Sequence, residues 1–266
     1  MPKIYSHSRL STFEQCPLKF KFRYIDKIIP EVEKTIEMHL GTVIHDTLEW
    51  LYTQVKNKKT PTLDQAIRFY AKKWEENYKP EILIVKSKMT AKDYFEKGVQ
   101  FIMDYHAKNH PFDENTIELE KKILISLDEE KKYQIQGFID RLAYNLKTEQ
   151  YEIHDYKTAN YLPNQEKFEN DRQLALYSIG IKELFSDDKE ICLIWHYLAH
   201  NQKICSKRTD EQLAQLKKET LELIKQIEAT EKFSPYVSKL CDWCEYKTIC
   251  PAWQKLENTD GKLDIW

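Results

Sequence analysis

Hydrophobic and polar positions alternate with a period of two over residues 133–142. Tyr133, Ile135, Gly137, Ile139 and Arg141 fall on one side, and Gln134, Gln136, Phe138, Asp140 and Leu142 on the other, as in a strand. Asp140 should therefore point away from Arg141. The polar run 145–150 reads as a hairpin loop, and residues 151–157 return as a second strand with Tyr151, Ile153, Asp155 and Lys157 on one face. Residues 117–127 alternate too and should pair with 133–142 across the charged turn at 128–132. The apolar run 191–199 predicts a buried strand, with a return strand near 203–208.

Other stretches repeat at the helical period. Residues 41–55 place Ile44, Leu48, Leu51 and Val55 on one stripe. Helices are also predicted from 62 or 63 to 77, over 90–109 and over 171–184. A further helix over 209–233 is opened by a Thr209–Gln212 capping box and has Leu213, Leu216, Leu223, Ile224 and Ile227 on its apolar side. Ser11 and Glu14 suggest another capping box within 6–24, and Pro17 suits the first turn of the next helix. Together these elements predict an α/β fold with a mixed central sheet flanked by helices. The helices within about 56–112 read as an insertion packed beside that sheet.

Composition narrows the function classes. With 266 residues and 41% hydrophobic content the chain can bury a core. A formal net charge of −2 and a pI near 6.5 do not mark a general polyanion binder, so affinity for nucleic acid would have to be local. No apolar run approaches a membrane span and the first ten residues hold no signal-peptide core, which predicts a cytoplasmic protein with no membrane partner. The five glycines form no G-x-x-x-x-G-K-[ST] loop, so no ATPase motor is expected.

The candidate chemistry lies at the ends of the two central strands. Asp140 and Asp155, brought together there, would repel each other unless a cation sat between them, and such oxygen ligands suit Mg²⁺ or Mn²⁺. Lys157 beside them could act on a water or neutralise a phosphate. A D-x-K triplet alone is weak, since residues 128–132 supply two acid-x-Lys triplets in a turn. His45, Glu49 and Tyr52 share a stripe next to the buried one, where a lone histidine would ordinarily be a core residue. Glu120 reads as a solvated strand edge, the alternative being a position facing the metal. Lys19, Lys21, Arg23 and Lys27, interleaved with Phe20, Phe22 and Tyr24, fit either a groove for a nucleic-acid backbone or a helix with a solvated basic face.

Gly137-x-x-Asp140-Arg141, Asp155-Tyr156-Lys157-Thr158, Gln173-x-x-x-Tyr177 and Gly41-x-x-x-His45-x-x-Leu48-Glu49 occur in the order and spacing of one family. The chain resembles the RecB-like branch of the PD-(D/E)XK nuclease superfamily, departing from its name in having Ile139 where the proline stands. The resemblance implies a restriction-endonuclease-like core and metal-dependent hydrolysis of DNA phosphodiesters, as an exonuclease preferring single-stranded or frayed ends. His45, Asp140, Asp155 and the Tyr156 carbonyl would bind metal, and Lys157 would be base or electrostatic stabiliser. Gln173, Tyr177 and Arg141 would bind DNA, with Tyr177 and the run 19–24 supplying base stacking and phosphate contacts. A non-catalytic nucleic-acid-binding module or a zinc-stabilised scaffold is the competing class.

Cys241-x₂-Cys244-x₅-Cys250 near the end of the chain points to a metal or cluster site, with Cys16 as the most economical fourth thiolate. The count fits zinc or a cluster equally. Resemblance to iron-sulfur nucleases of CRISPR spacer acquisition and of helicase-nuclease repair complexes implies a 4Fe-4S cluster, and a helicase or CRISPR-adaptation protein as partner. Cys192 reads as a core residue, and Cys205 has no evident partner. The chain then reads as a single nuclease domain, 1–266, whose segment from about 234 to 266 closes onto Cys16.

Overall fold

The protein is described from a computed structural model, which covers residues 2–31 and 34–257. The chain opens with a short strand, β1 (Lys3–Ser6), absent from the sequence reading, and a helix, α1 (His7–Gln15). Ser6 caps that helix, its Oγ accepting from the Arg9 N–H at 3.1 Å. The expected Ser11–Glu14 box is therefore not formed, and the Ser11 hydroxyl instead meets His7 Nε2, 3.2 Å away. Helix α2 (Pro17–Phe20) has Pro17 in its first turn, as expected, and runs into a π-helical turn at Lys21–Ile25.

Three helices, α3 (Ile36–Lys56), α4 (Leu63–Asn77) and α5 (Ala91–Asn109), pack on one another. Capping boxes Thr62–Gln65 and Thr90–Asp93 start the second and third. Leu40, Val43, Ile44, Leu48 and Leu51 of α3 are buried with Tyr70, Trp74, Tyr94 and Phe101. Each such aliphatic side chain contributes about 1.5–3 kcal/mol on burial. The stripe that the helical period picked out thus fixes the rotation of α3, and with it the direction of His45.

The remaining elements are β2 (Asn115–Ser126), β3 (Tyr133–Asn145), β4 (Gln150–Lys157), α6 (Gln165–Glu169), α7 (Arg172–Phe185), β5 (Ile191–Tyr197), β6 (Gln202–Ser206), α8 (Asp210–Ala229) and α9 (Pro251–Glu257). Six strands form one mixed sheet, with β1-β3-β4-β5-β6 in order and β2 paired to β3. The β1–β3 and β4–β5 pairs are parallel and the others antiparallel. On one face Ile135, Ile139, Leu142, Ile153 and Trp195 pack with Leu174, Leu176 and Ile181 of α7 and Ile224 and Ile227 of α8. Gly137 permits close approach there, since a Cβ at that position would lie 2.2 Å from Tyr177 Cε1. No helix among the described residues is long and apolar enough to cross a membrane.

Strand β3 is shared along its length. Residues 133–136 pair with β1 and 141–145 with β4, while β2 runs along the opposite edge. Residues 137–140 therefore lie where β1 and β4 leave a gap. There the alternation breaks: Ile139 and Leu142 belong to the α7 side, but the Arg141 guanidinium lies 4.0 Å from the Tyr52 ring centroid, under α3. Asp140 is also on the α3 side, against His45. The expectation that Asp140 points away from Arg141 is thus corrected. On β2, Glu120 takes a left-handed φ of 45° beside the gap.

Cys192 and Cys205 form a disulfide across β5 and β6, with Cα atoms 6.2 Å apart, which supplies the partner that the sequence did not show for Cys205. Residues 258–266 of the cysteine-bearing segment lie outside the described residues.

Candidate active site

The gap beside β3 gathers groups from five elements, α3, β2, β3, β4 and α7. Asp140 Oδ2 accepts a hydrogen bond from the Tyr156 N–H at 3.0 Å and lies 3.3 Å from His45 Nδ1. His45 Nε2 donates to the Tyr156 carbonyl at 2.8 Å. One backbone unit thus binds Asp140 through its N–H and His45 through its C=O. Asp155 is almost fully buried at 3% exposure, and Lys157 Nζ donates to its Oδ1 at 3.0 Å and to Gln173 Oε1 of α7 at 3.1 Å. Asp155 Oδ2 is 2.8 Å from Lys157 Nζ, so the ammonium lies close to both carboxylate oxygens. Glu120 completes the cluster, offering a ligand atom that lies with those of His45 and Asp140 within 4.8 Å of one another. Glu120 therefore faces the site, the reading the sequence had made secondary. Its signal, an acid opposite Asp140, is invisible until the register of β2 is known.

The charges are poorly compensated for negative groups. Burial raises the Asp155 carboxyl above its ordinary range, against the pull of Lys157. Burial, with the charges of Asp140 and Glu49, pushes Glu120 up to about 7. Burial alone would lower His45, but its hydrogen bond to Asp140 and the charges of Asp140 and Asp155 carry it up to about 9. Without an ion bound, His45 is thus held as an imidazolium between Asp140 and the Tyr156 carbonyl, and to serve as a ligand it must give up that proton to the incoming cation. Burial would also lower Lys157, but Asp155 overrides it and keeps the ammonium charged. A donor set of carboxylates, one carbonyl and one imidazole fits Mg²⁺ or Mn²⁺.

Arg141 has a different place from the one expected. Its side chain is fully buried, and it cannot meet DNA. The guanidinium donates to the Tyr156 hydroxyl at 3.0 Å and to His154 Nδ1 at 2.8 Å, and pairs with Glu114 at 2.6 Å. Glu152 accepts from His154 Nε2 at 3.2 Å. Glu114, Glu152 and His154 could by their spacing hold a metal ion, but the guanidinium already supplies the cation. Burial opposes ionisation of Glu114, but Arg141 holds it down to about 2.

Tyr177, 5% exposed, fills the space above Gly137, so its ring has no face open to a base. The aromatic–basic run is likewise used internally. Phe20 is buried against Phe13 and Phe233, Lys19 pairs with Glu245 at 2.7 Å and Arg23 with the same carboxylate at 3.6 Å, and Phe22 packs on Tyr246. These contacts dock the cysteine-bearing segment on the N-terminal helices. Cys16, Cys241, Cys244 and Cys250 line one pocket, and the Tyr236 N–H donates to Cys16 Sγ at 3.4 Å. Burial raises the Cys244 thiol above its ordinary range.

A family model described as the PD-(D/E)XK nuclease superfamily matches residues 4–251. No curated protein matches the chain. Among solved structures, one named SSO0001 is similar at 15% identity, covering 94% of this chain and 86% of its own, with a TM-score of 0.41. A candidate exonuclease from Eubacterium rectale is similar at 12% identity, covering 89% of this chain and 86% of its own, with a TM-score of 0.51. The second likeness is one of fold.

Proposed function

The chain belongs to the PD-(D/E)XK nuclease superfamily, and on that premise we propose that it is a Mg²⁺- or Mn²⁺-dependent deoxyribonuclease of RecB-like type, acting as an exonuclease on single-stranded or frayed DNA ends. The observation that carries this reading is the convergence of His45, Asp140, Asp155, Lys157 and the Tyr156 carbonyl on one gap in the sheet. Asp140, Asp155, His45 and the carbonyl would hold the ion, with Glu120 close enough to Asp140 to join them. The bound ion supplies positive charge beside the scissile phosphate and makes water more acidic. Lys157, held by Asp155 and Gln173, would neutralise phosphate charge or act on the attacking water.

The reading is tested by incubating labelled single-stranded, linear duplex and circular DNA with Mg²⁺, Mn²⁺ or chelator. Metal-dependent shortening from ends is expected. Equal cutting of closed single-stranded circles would remove the end preference, and no cutting in any metal would remove the nuclease reading.

The same proposal extends to the four thiols, which we assign to a 4Fe-4S cluster, with a structural zinc ion as the alternative. Joining Cys16 to the distant triplet would close most of the chain into a loop, and the cross-link model puts the stabilisation at roughly 5 kcal/mol as an upper figure. Cys→Ser at any of the four should cost iron and acid-labile sulfide and lower the thermal midpoint. One equivalent of zinc without iron would decide for the staple.

A further inference from the structure

With Tyr177 and the run 19–24 taken up by internal packing, the base-stacking surface has to lie elsewhere. Phe138 is 49% exposed in the middle of β3, between Gly137 and Ile139, which both face the buried α7 side. A single exposed apolar residue is ordinary; its position here is not. Phe138 shares its strand face with Asp140 and precedes it by two residues, about 6.6 Å along a strand. On the neighbouring strand the register sets Lys122 directly opposite Phe138. Lys122 in turn lies two residues beyond Glu120, is exposed, and makes no ion pair among the described residues. Both strands therefore step from an acid of the catalytic cluster to a residue open to solvent, an aromatic on one and a cation on the other. The next row continues outward with Leu124, 48% exposed, opposite Gln136.

We propose that Phe138 and Lys122 form a subsite for one nucleotide of single-stranded nucleic acid beside the scissile phosphate, Phe138 stacking on the base and Lys122 holding a phosphate. The proposal rests on the nuclease reading and names how the substrate is chosen. An aromatic face accepts any base, so the subsite is blind to sequence, while a base inside a duplex has its faces covered by its neighbours. The preference for unpaired ends then follows from a residue on the sheet. Continuity with the catalytic face and the positive charge of Lys122 favour a nucleic-acid strand over a protein as the occupant.

The test uses single-stranded oligonucleotides carrying one abasic nucleotide at successive positions from the cut. The parent should lose about tenfold in kcat/KM at one position. Phe138→Ala should be about tenfold slower on the intact strand and show no further loss at that position, while Phe138→Trp keeps the parent's profile. Phe138 is half exposed, so the thermal midpoint of the alanine variant should match the parent's and exclude misfolding. Lys122→Gln should flatten the salt dependence by about one phosphate contact. An abasic penalty that persists in Phe138→Ala, and vanishes instead with the exposed Tyr161 replaced by Ala, overturns the assignment. So does a self-association that Phe138→Ala dissolves while cleavage is unchanged. Should the parent cut nothing, anisotropy of the intact oligonucleotide separates the two readings. Binding about tenfold tighter by the parent than by Phe138→Ala keeps the subsite and removes the nuclease, and equal binding removes both.

Discussion

Asp140 and Arg141 are neighbours on β3, and His154 and Asp155 are neighbours on β4, yet they divide between two polar clusters. In one, Arg141 lies among Glu114, His154 and the Tyr156 hydroxyl. That cluster carries its own cation, Glu114 is stabilised as an anion, and the guanidinium is fully buried. In the other, burial and the charge of Asp140 push the carboxyls of both Asp155 and Glu120 upward, and His45 and Lys157 are held charged in response. The first carries a fully buried guanidinium as its counter-charge; the second sets three carboxylates against one lysine and one histidine. Tyr156 joins them, its hydroxyl in the closed cluster and its peptide in the open one. Burial of a polar group therefore does not mark function; an uncompensated excess of one sign does.

The largest effect should come from the open cluster and appear in rate, not stability. Asp140→Ala, Asp155→Ala and Lys157→Ala are each expected to lower DNA cleavage on the order of 10³-fold or more, because groups that act as a unit fail together. Cleavage assays at matched Mg²⁺, with thermal melts alongside, test this. An Asp155→Ala enzyme as fast as the parent would break the comparison at its base.

The closed cluster should respond in stability, since removing Arg141 leaves the half-buried Glu114 and the buried His154 without their cation. Arg141→Ala is expected to cost about 3–5 kcal/mol in denaturant unfolding. Replacing Glu114, the more exposed partner, should cost less, about 1–3 kcal/mol for Glu114→Gln, and the effect should depend on pH. The carboxyl has an ordinary value of 4.5 and is held at about 2 in the fold. Its contribution is therefore complete above 4.5 and is lost as pH falls towards 2. The thermal midpoints of parent and Glu114→Gln should converge over that window; a constant gap down to pH 2 would refute the pairing.

The two clusters were not equally legible in sequence. Gly137, Asp140, Asp155 and Lys157 stood out because their motif is local, and the helical stripe of α3 announced which way His45 would turn. The closed cluster joins Arg141 of β3 and His154 of β4 to Glu114, which precedes β2, and a period of two cannot show the break that puts Arg141 and Asp140 on one side. That break falls where Glu120 takes a left-handed φ without being glycine, so no turn residue advertised it. Strand β1, four residues long, was too short to display an alternation, and recognising Ser6 as the cap depended on seeing it.

Glu120 offers the smallest effect and the finest division between the clusters. It lies beside Asp140 like a ligand, yet it has none of the charged partners that hold Glu114. As part of the open cluster it is repelled by its neighbours, so removing its charge should leave the fold within about 0.5 kcal/mol of the parent. Its contribution should be to the affinity for the ion rather than to the chemistry that follows. Glu120→Gln is accordingly expected to raise the Mg²⁺ concentration for half-maximal cleavage about 10-fold, within the range for groups that support a metal site, with the saturated rate reduced far less. Titrating cleavage against Mg²⁺ separates the two quantities. A fall in stability comparable to that of Arg141→Ala would move Glu120 into the structural cluster, while a loss at saturating metal as deep as that of Asp155→Ala would make it a full member of the catalytic set.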